Sequence, residues 1–246
     1  MNVIAQSASA DGTSGRPNRF IWRSSRVSSV IVFLMIAFRL AWPAFAYSID
    51  DESTAKRTYS YVLTYLLFVC SWISLALGVL APWLVHLLAR GPGFARAADA
   101  VGMLAFAATA YAGYTVVAIG IGRARQTQFN WVVSGIAAAV NIGLNFALIP
   151  PYGMIGAAIS TLVAYLTLFL GMVVNSSRVY PVDYQWRRVL TLTAVAVGLT
   201  VAGSVPDVPL AVAILIALAY PVVLLPLGFY LPAERRRLRR IVGASV

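Results

Sequence analysis

The sequence predicts an all-α, polytopic integral membrane protein of about seven transmembrane helices. Hydrophobic residues fill 60% of the 246 positions and charged residues only 11%, where a soluble domain carries about 25% charged residues. Mean hydropathy is +0.81. The apolar residues gather into stretches near the ~20 residues that cross a hydrocarbon core. Membrane strands would be shorter, about 9–11 residues with dyad alternation.

Residues 1–26 are polar, rich in Ser, Gly and Arg, without periodicity, and read as a disordered basic tail. The spans follow at 27–47, 59–88, 99–121, 129–149, 153–174, 189–204 and 210–231, so that a helical bundle fills 27–232. The second is long enough to tilt or to project beyond the headgroups. Pro150-Pro151-Tyr152-Gly153 predicts a tight hairpin between the fourth and fifth spans. Pro206 and Pro209 predict another between the sixth and seventh. Tyr47, Trp131, Tyr152, Tyr180, Tyr184, Trp186 and Tyr230 lie near span ends, as an aromatic belt requires. Residues 233–246 form a basic tail. The connections are too short for a soluble domain.

A net charge of +11 would suggest nucleic acid in a soluble protein. Here the basic residues flank the apolar runs, where topology signals belong, and no nucleic-acid partner is expected. One side collects Lys56, Arg57, Arg123, Arg125, Arg178, Arg187, Arg188 and the arginines at 235–240. The other holds Arg90, Arg96 and the tail arginines 16, 19, 23 and 26. The imbalance predicts a cytoplasmic C-terminus. It leaves the N-terminal tail on the unfavoured side, a conflict that a further upstream helix or half would remove. A rival reading takes the first span as a secretory signal cut after Ala44-Phe45-Ala46. Arg39 interrupts its apolar core, and cleavage would place the arginine-rich C-terminus outside.

Candidate functional residues are few. Arg39 is the one charge well inside a predicted span, at a cost of at least ~2.5–3.5 kcal/mol near the bilayer centre. It would either bind an anionic headgroup or snorkel to the interface. Asn141 and Asn145 are four apart, hence on one helix face, where amides bridge helices or line a polar path. Tyr111 and Tyr114, with Tyr165, could line the same cavity or simply pack. Gly153 with Ala157, and Gly156 with Ser160, form small-xxx-small pairs that admit a close helix. His86 reads as interfacial, Asp99 as an acid at a helix N-terminus, and Cys70 as a small buried hydrophobe. No nucleophile motif, phosphate loop or metal-ligand spacing occurs, so no catalytic residue, metal or cofactor is expected and the chain is not read as an enzyme.

The stretch Val140-Asn141-Ile142-Gly143-Leu144-Asn145-Phe146-Ala147-Leu148-Ile149-Pro150-Pro151-Tyr152-Gly153, continuing through Gly156-Ala157-Ala158-Ile159-Ser160-Thr161, resembles the signature of Wzx-type polysaccharide flippases. These are the O-antigen and lipopolysaccharide exporters of the MATE-like superfamily. Ala41-Trp42-Pro43 with Phe45 resembles a second feature of that family, with the proline one place early, and Arg178 to Pro181 resembles the segment after its signature. The resemblance covers about residues 27–232. It implies one bundle of a MATE-like transporter in the bacterial cytoplasmic (inner) membrane, matching the last seven helices of a fourteen-helix member. The implied ligand is a lipid-linked glycan of the undecaprenyl-diphosphate type, met by Arg39, Asn141, Asn145, Tyr111 and Tyr114. The implied partners are membrane lipids and a missing N-terminal half or a second copy. Three alternatives stand beside it: half of a drug exporter of the same superfamily, which needs an intramembrane acid that the spans lack; a membrane glycosyl- or acyltransferase, of another class, which needs a His or carboxylate cluster; and a non-functional truncated fragment.

Overall fold

A computed structural model describes residues 41–88, 95–204, 208–227 and 229. The tails at 1–26 and 233–246, most of the first predicted span, Arg39, Arg90 and Tyr230 lie outside the described residues. Positions 41–47 are helical. The chain through Phe45 forms one unit, in which the Trp42 and Phe45 rings lie 6.1 Å apart, and Ala46 onward forms a second.

The second unit is built of α1 (Glu52–Leu88), α2 (Ala95–Arg123), a 3-10 turn at Thr127–Phe129, α3 (Asn130–Tyr152), α4 (Met154–Val179), α5 (Trp186–Gly203) and α6 (Leu210–Val223). No strand occurs among the described residues. Four helices are long and apolar enough to cross a membrane: Glu52–Val85, Ala100–Arg123, Thr127–Tyr152 and Met154–Val179. The expected seven therefore stand at four among the described residues. The sixth span has 18 residues with Arg187 and Arg188 in its first turn. The seventh ends at Val223, after 14 residues. There the backbone tightens into turns, with the Leu225 N–H donating to Val222 O at 3.0 Å ahead of Pro226.

Helix ends follow local chemistry. Asp51 caps α1: its Oδ2 accepts from the Thr54 N–H and from Ser53 Oγ, both at 2.7 Å. That cap starts the helix seven residues before the predicted 59. Helix α2 begins at Ala95, so Asp99 lies one turn inside it and not at its N-terminus, a correction to the expected dipole role.

Contacts order the helices as α3, α4, α2, α1, with α5 and α6 packed on α1 and on each other. Glycines set the close approaches. Gly78 of α1 faces Gly102 of α2, where a β-carbon on Gly102 would lie 3.1 Å from the Gly78 α-carbon. Gly113 of α2 leaves room for the Phe169 ring of α4. Helix α3 packs chiefly on α4. Only 6% of its apolar window is buried, against 50% for α2, and Phe146 is 81% exposed. A helix apolar all round and bare on most sides is stable in lipid and not in water.

Candidate functional site

The signature residues come together in one hairpin. Helix α3 runs through Pro150 and Pro151 to Tyr152, and the chain reverses at Gly153 (φ 56°, ψ −126°). The reversal thus falls at the last residue of the Pro150-Pro151-Tyr152-Gly153 segment, where the sequence predicted a hairpin. Prolines withhold N–H groups from the Phe146 and Ala147 carbonyls, yet in a last turn the helix needs only to bend. The Gly153 N–H closes that turn on Ile149 O at 2.7 Å. Its φ lies where an L side chain is strained, which explains a glycine. Gly156 is required for a different reason: a β-carbon there would run into the Leu148 carbonyl. Of the two small-residue pairs, Gly156 with buried Ser160 marks a close approach. Gly153 has nothing within 4 Å and serves the turn alone.

Asn145 Nδ2 donates to Asn141 Oδ1 at 3.1 Å along α3. The pair is half-buried and bonds within its own helix. The amide bridge between α3 and α4 is instead Asn175 Nδ2 to Asn130 Oδ1, at 3.2 Å. Tyr111 stacks near Tyr114, with centroids 5.6 Å apart, and near Tyr165 of α4 at 5.3 Å. The structure therefore joins the three tyrosines between α2 and α4 and joins the two asparagines on α3. It holds the two groups in different helix layers.

None of Asn141, Asn145, Tyr111 or Tyr114 lines the trough of about 1430 Å³ among α1, α2, α4 and α5. Asn145 borders a shallower recess of about 430 Å³ with Ile142, Phe146, Ile149 and Pro150.

Charges that sequence reading treated only as topology signals prove to be structural. Arg123, in the last turn of α2, donates to the carbonyls of Ile49 (2.7 Å), Asp50 (3.3 Å) and Ala46 (3.4 Å), and to Tyr59 Oη (3.4 Å). Tyr59, fully buried, donates to Ala46 O at 2.6 Å. Ser60 Oγ donates to Asp183 O at 2.8 Å, and the Lys56 ammonium sits 4.9 Å from the Tyr180 ring centre. Positive side chains from α1 and α2 are thus gathered at the end that also holds the α4–α5 loop. Burial pushes Tyr180 up to about 12, with the Glu52 carboxylate adding to the effect. Burial also raises Tyr184 well above the usual phenol value. The Ser53 and Thr54 hydrogen bonds hold Asp51 down to about 2.

Arg188 is the cation the sequence undervalued. Its guanidinium lies 4.6 Å from the Phe229 ring and 5.6 Å from Tyr65, and it donates to Gln185 Oε1. An aromatic enclosure of this kind stabilises an arginine away from bulk water. The sequence signal was a basic residue with Tyr65 and Phe229 far off in the chain, which no spacing rule connects.

No protein-family model, curated protein or solved structure matches this chain.

Proposed function

We propose that this chain is part of a flippase-type transporter that moves a lipid-linked polysaccharide or O-antigen precursor across the bacterial cytoplasmic membrane. In this reading it forms a seven-span bundle with a cytoplasmic C-terminus. It acts beside a further membrane half or a second copy, because such a carrier rocks one bundle against another. The carrying observation is the signature hairpin: Asn141 and Asn145 bonded to each other, and a turn for which Gly153 and Gly156 each have a separate steric reason. The mechanism moves the headgroup without making or breaking bonds. Arg39 pairs with the diphosphate, while Asn141, Asn145, Tyr111 and Tyr114 offer hydrogen bonds to sugar hydroxyls. The bare flank of α3 faces lipid or the partner bundle.

The drug-exporter alternative is disfavoured, because the candidate spans Ala100–Arg123, Thr127–Tyr152 and Met154–Val179 contain no acidic residue and Glu52–Val85 has one only at its first position. The test is export of a lipid-linked glycan in cells lacking their own exporter. Expression of the chain with its partner half restores surface glycan, and Arg39→Ala abolishes it. Drug resistance without glycan export would favour the alternative, and undiminished export by Arg39→Ala would remove the arginine from the site.

A further inference from the structure

The elbow between α2 and α3 carries a backbone strain that packing does not account for. Helix α2 ends on two bonds: the Arg125 N–H donates to Gly122 O at 3.1 Å, and the Gln126 N–H donates to Ile121 O at 3.3 Å. This pair of bonds puts Arg125 at the position where helices ending in this way usually carry glycine. Its φ is 54°, and it is the one non-glycine with a positive φ among the described residues. A left-handed L-residue costs stability that glycine would not, and such strain gathers where a side chain has a task. Balancing the helix C-terminus is not that task, because Arg123 already supplies a cation in the last turn.

Arg125 is exposed, and so is Arg178 in the last turn of α4. Both belong to one end of the bundle: Gly120 of α2 lies against the Tyr180 ring, and the Asn175–Asn130 bond draws the start of α3 to the last turns of α4. The ion pair among the described residues joins Lys56 to Glu52 at 4.0 Å, and neither Arg125 nor Arg178 has a described carboxylate within that distance. Beside these cations stand Phe129 and Trp131, 55% and 75% exposed, at the start of the helix least covered by protein. Exposed aromatic rings at the end of an apolar helix mark the level of the lipid headgroups. An acidic soluble partner would meet the arginines and leave the two rings bare, whereas one phospholipid covers both. We infer that the α2–α3 elbow, through Arg125 and Arg178, holds the phosphodiester of an anionic diacyl phospholipid, a resident of the bilayer and not a cargo. Basic sites between helices at a membrane face take such headgroups. The inference rests on the membrane helices alone and is independent of the transport reading.

The test is native mass spectrometry of the full chain in a neutral detergent, titrated with phosphatidylglycerol and separately with phosphatidylcholine, with thermal melts of the same samples. Wild type should retain the anionic lipid in preference to the zwitterionic one. Arg125→Gly and Arg178→Gln should each weaken phosphatidylglycerol binding about fivefold, the share of one basic side chain at an anionic surface, and leave phosphatidylcholine binding unchanged. Arg125→Gly also separates binding from folding. Glycine suits the backbone of this turn, so the variant should melt higher than wild type without lipid and yet gain less from added phosphatidylglycerol. Arg57→Gln/Arg187→Gln removes two cations of the same end that lie on α1 and α5, away from the elbow. An equal loss in that double variant would overturn the site, because diffuse charge would then hold the lipid. Equal retention of the two lipids, or displacement of phosphatidylglycerol by inorganic phosphate, would overturn it as well.

Discussion

The indole N–H of Trp72 on α1 donates to the Ala217 carbonyl on α6 at 2.7 Å. Ala217 is four residues before Pro221, the one proline inside α6. A proline has no N–H to return to the carbonyl four residues earlier, so the helix leaves that oxygen orphaned and the tryptophan supplies the missing donor. Trp72→Phe should destabilise the fold by about 1–3 kcal/mol, the cost of an unmet buried carbonyl. Pro221→Ala restores the backbone donor and should recover most of that loss in the double variant. Thermal melts of the four proteins in detergent measure the coupling.

The α3–α4 hairpin makes separable demands on its two glycines. Gly153→Ala places a β-carbon at φ 56° and should cost about 1–2 kcal/mol with no clash, since nothing lies within 4 Å. Gly156→Val drives a side chain into the Leu148 carbonyl and should cost at least as much, about 1–3 kcal/mol by overpacking, with visible loss of helix–helix contact. Crosslinking of cysteine pairs at 133 and 171, where Gly171 abuts Val133, reports the contact directly.

Asp51 gives the fold an acid-sensitive cap. Its carboxyl is held down to about 2 by Ser53 and Thr54, below the ~3.9 of an unfolded chain. A depressed value contributes stability above the unfolded pKa, lost as pH falls through the folded one. The window is therefore about pH 4 down to 2. Asp51→Ala should melt lower than wild type at pH 5, and the two curves should converge toward pH 2. A constant gap across that range would refute the role of the carboxylate.

The helices were legible because apolar run length alone distinguishes them, and four of the predicted spans reappear with ends shifted by a few residues. The shifts have local causes. The Asp51 cap extends α1, and the turns before Pro226 shorten the last helix. The Pro150-Pro151-Tyr152-Gly153 segment announced the hairpin, and the backbone reverses at its last residue, because only a positive φ reverses the chain there. What stayed hidden depends on helix placement. Trp72 and Ala217 are 145 residues apart, Arg188 meets Phe229 only through folding, and the trough exists only once α5 lies against α1. The separation of Asn141 and Asn145 from the three tyrosines is likewise a matter of helix layers, which no single-helix spacing encodes.

The central claim is that this bundle takes part in moving a lipid-linked glycan. The most direct measurement is a time course in proteoliposomes containing the chain with its partner half and a fluorescent lipid-linked oligosaccharide. Exposure of the glycan to an impermeant glycosidase is followed against empty vesicles. The account predicts glycan loss well above the empty-vesicle rate, strongly reduced by Asn141→Leu/Asn145→Leu in protein of unchanged helicity. Loss at the empty-vesicle rate would contradict it.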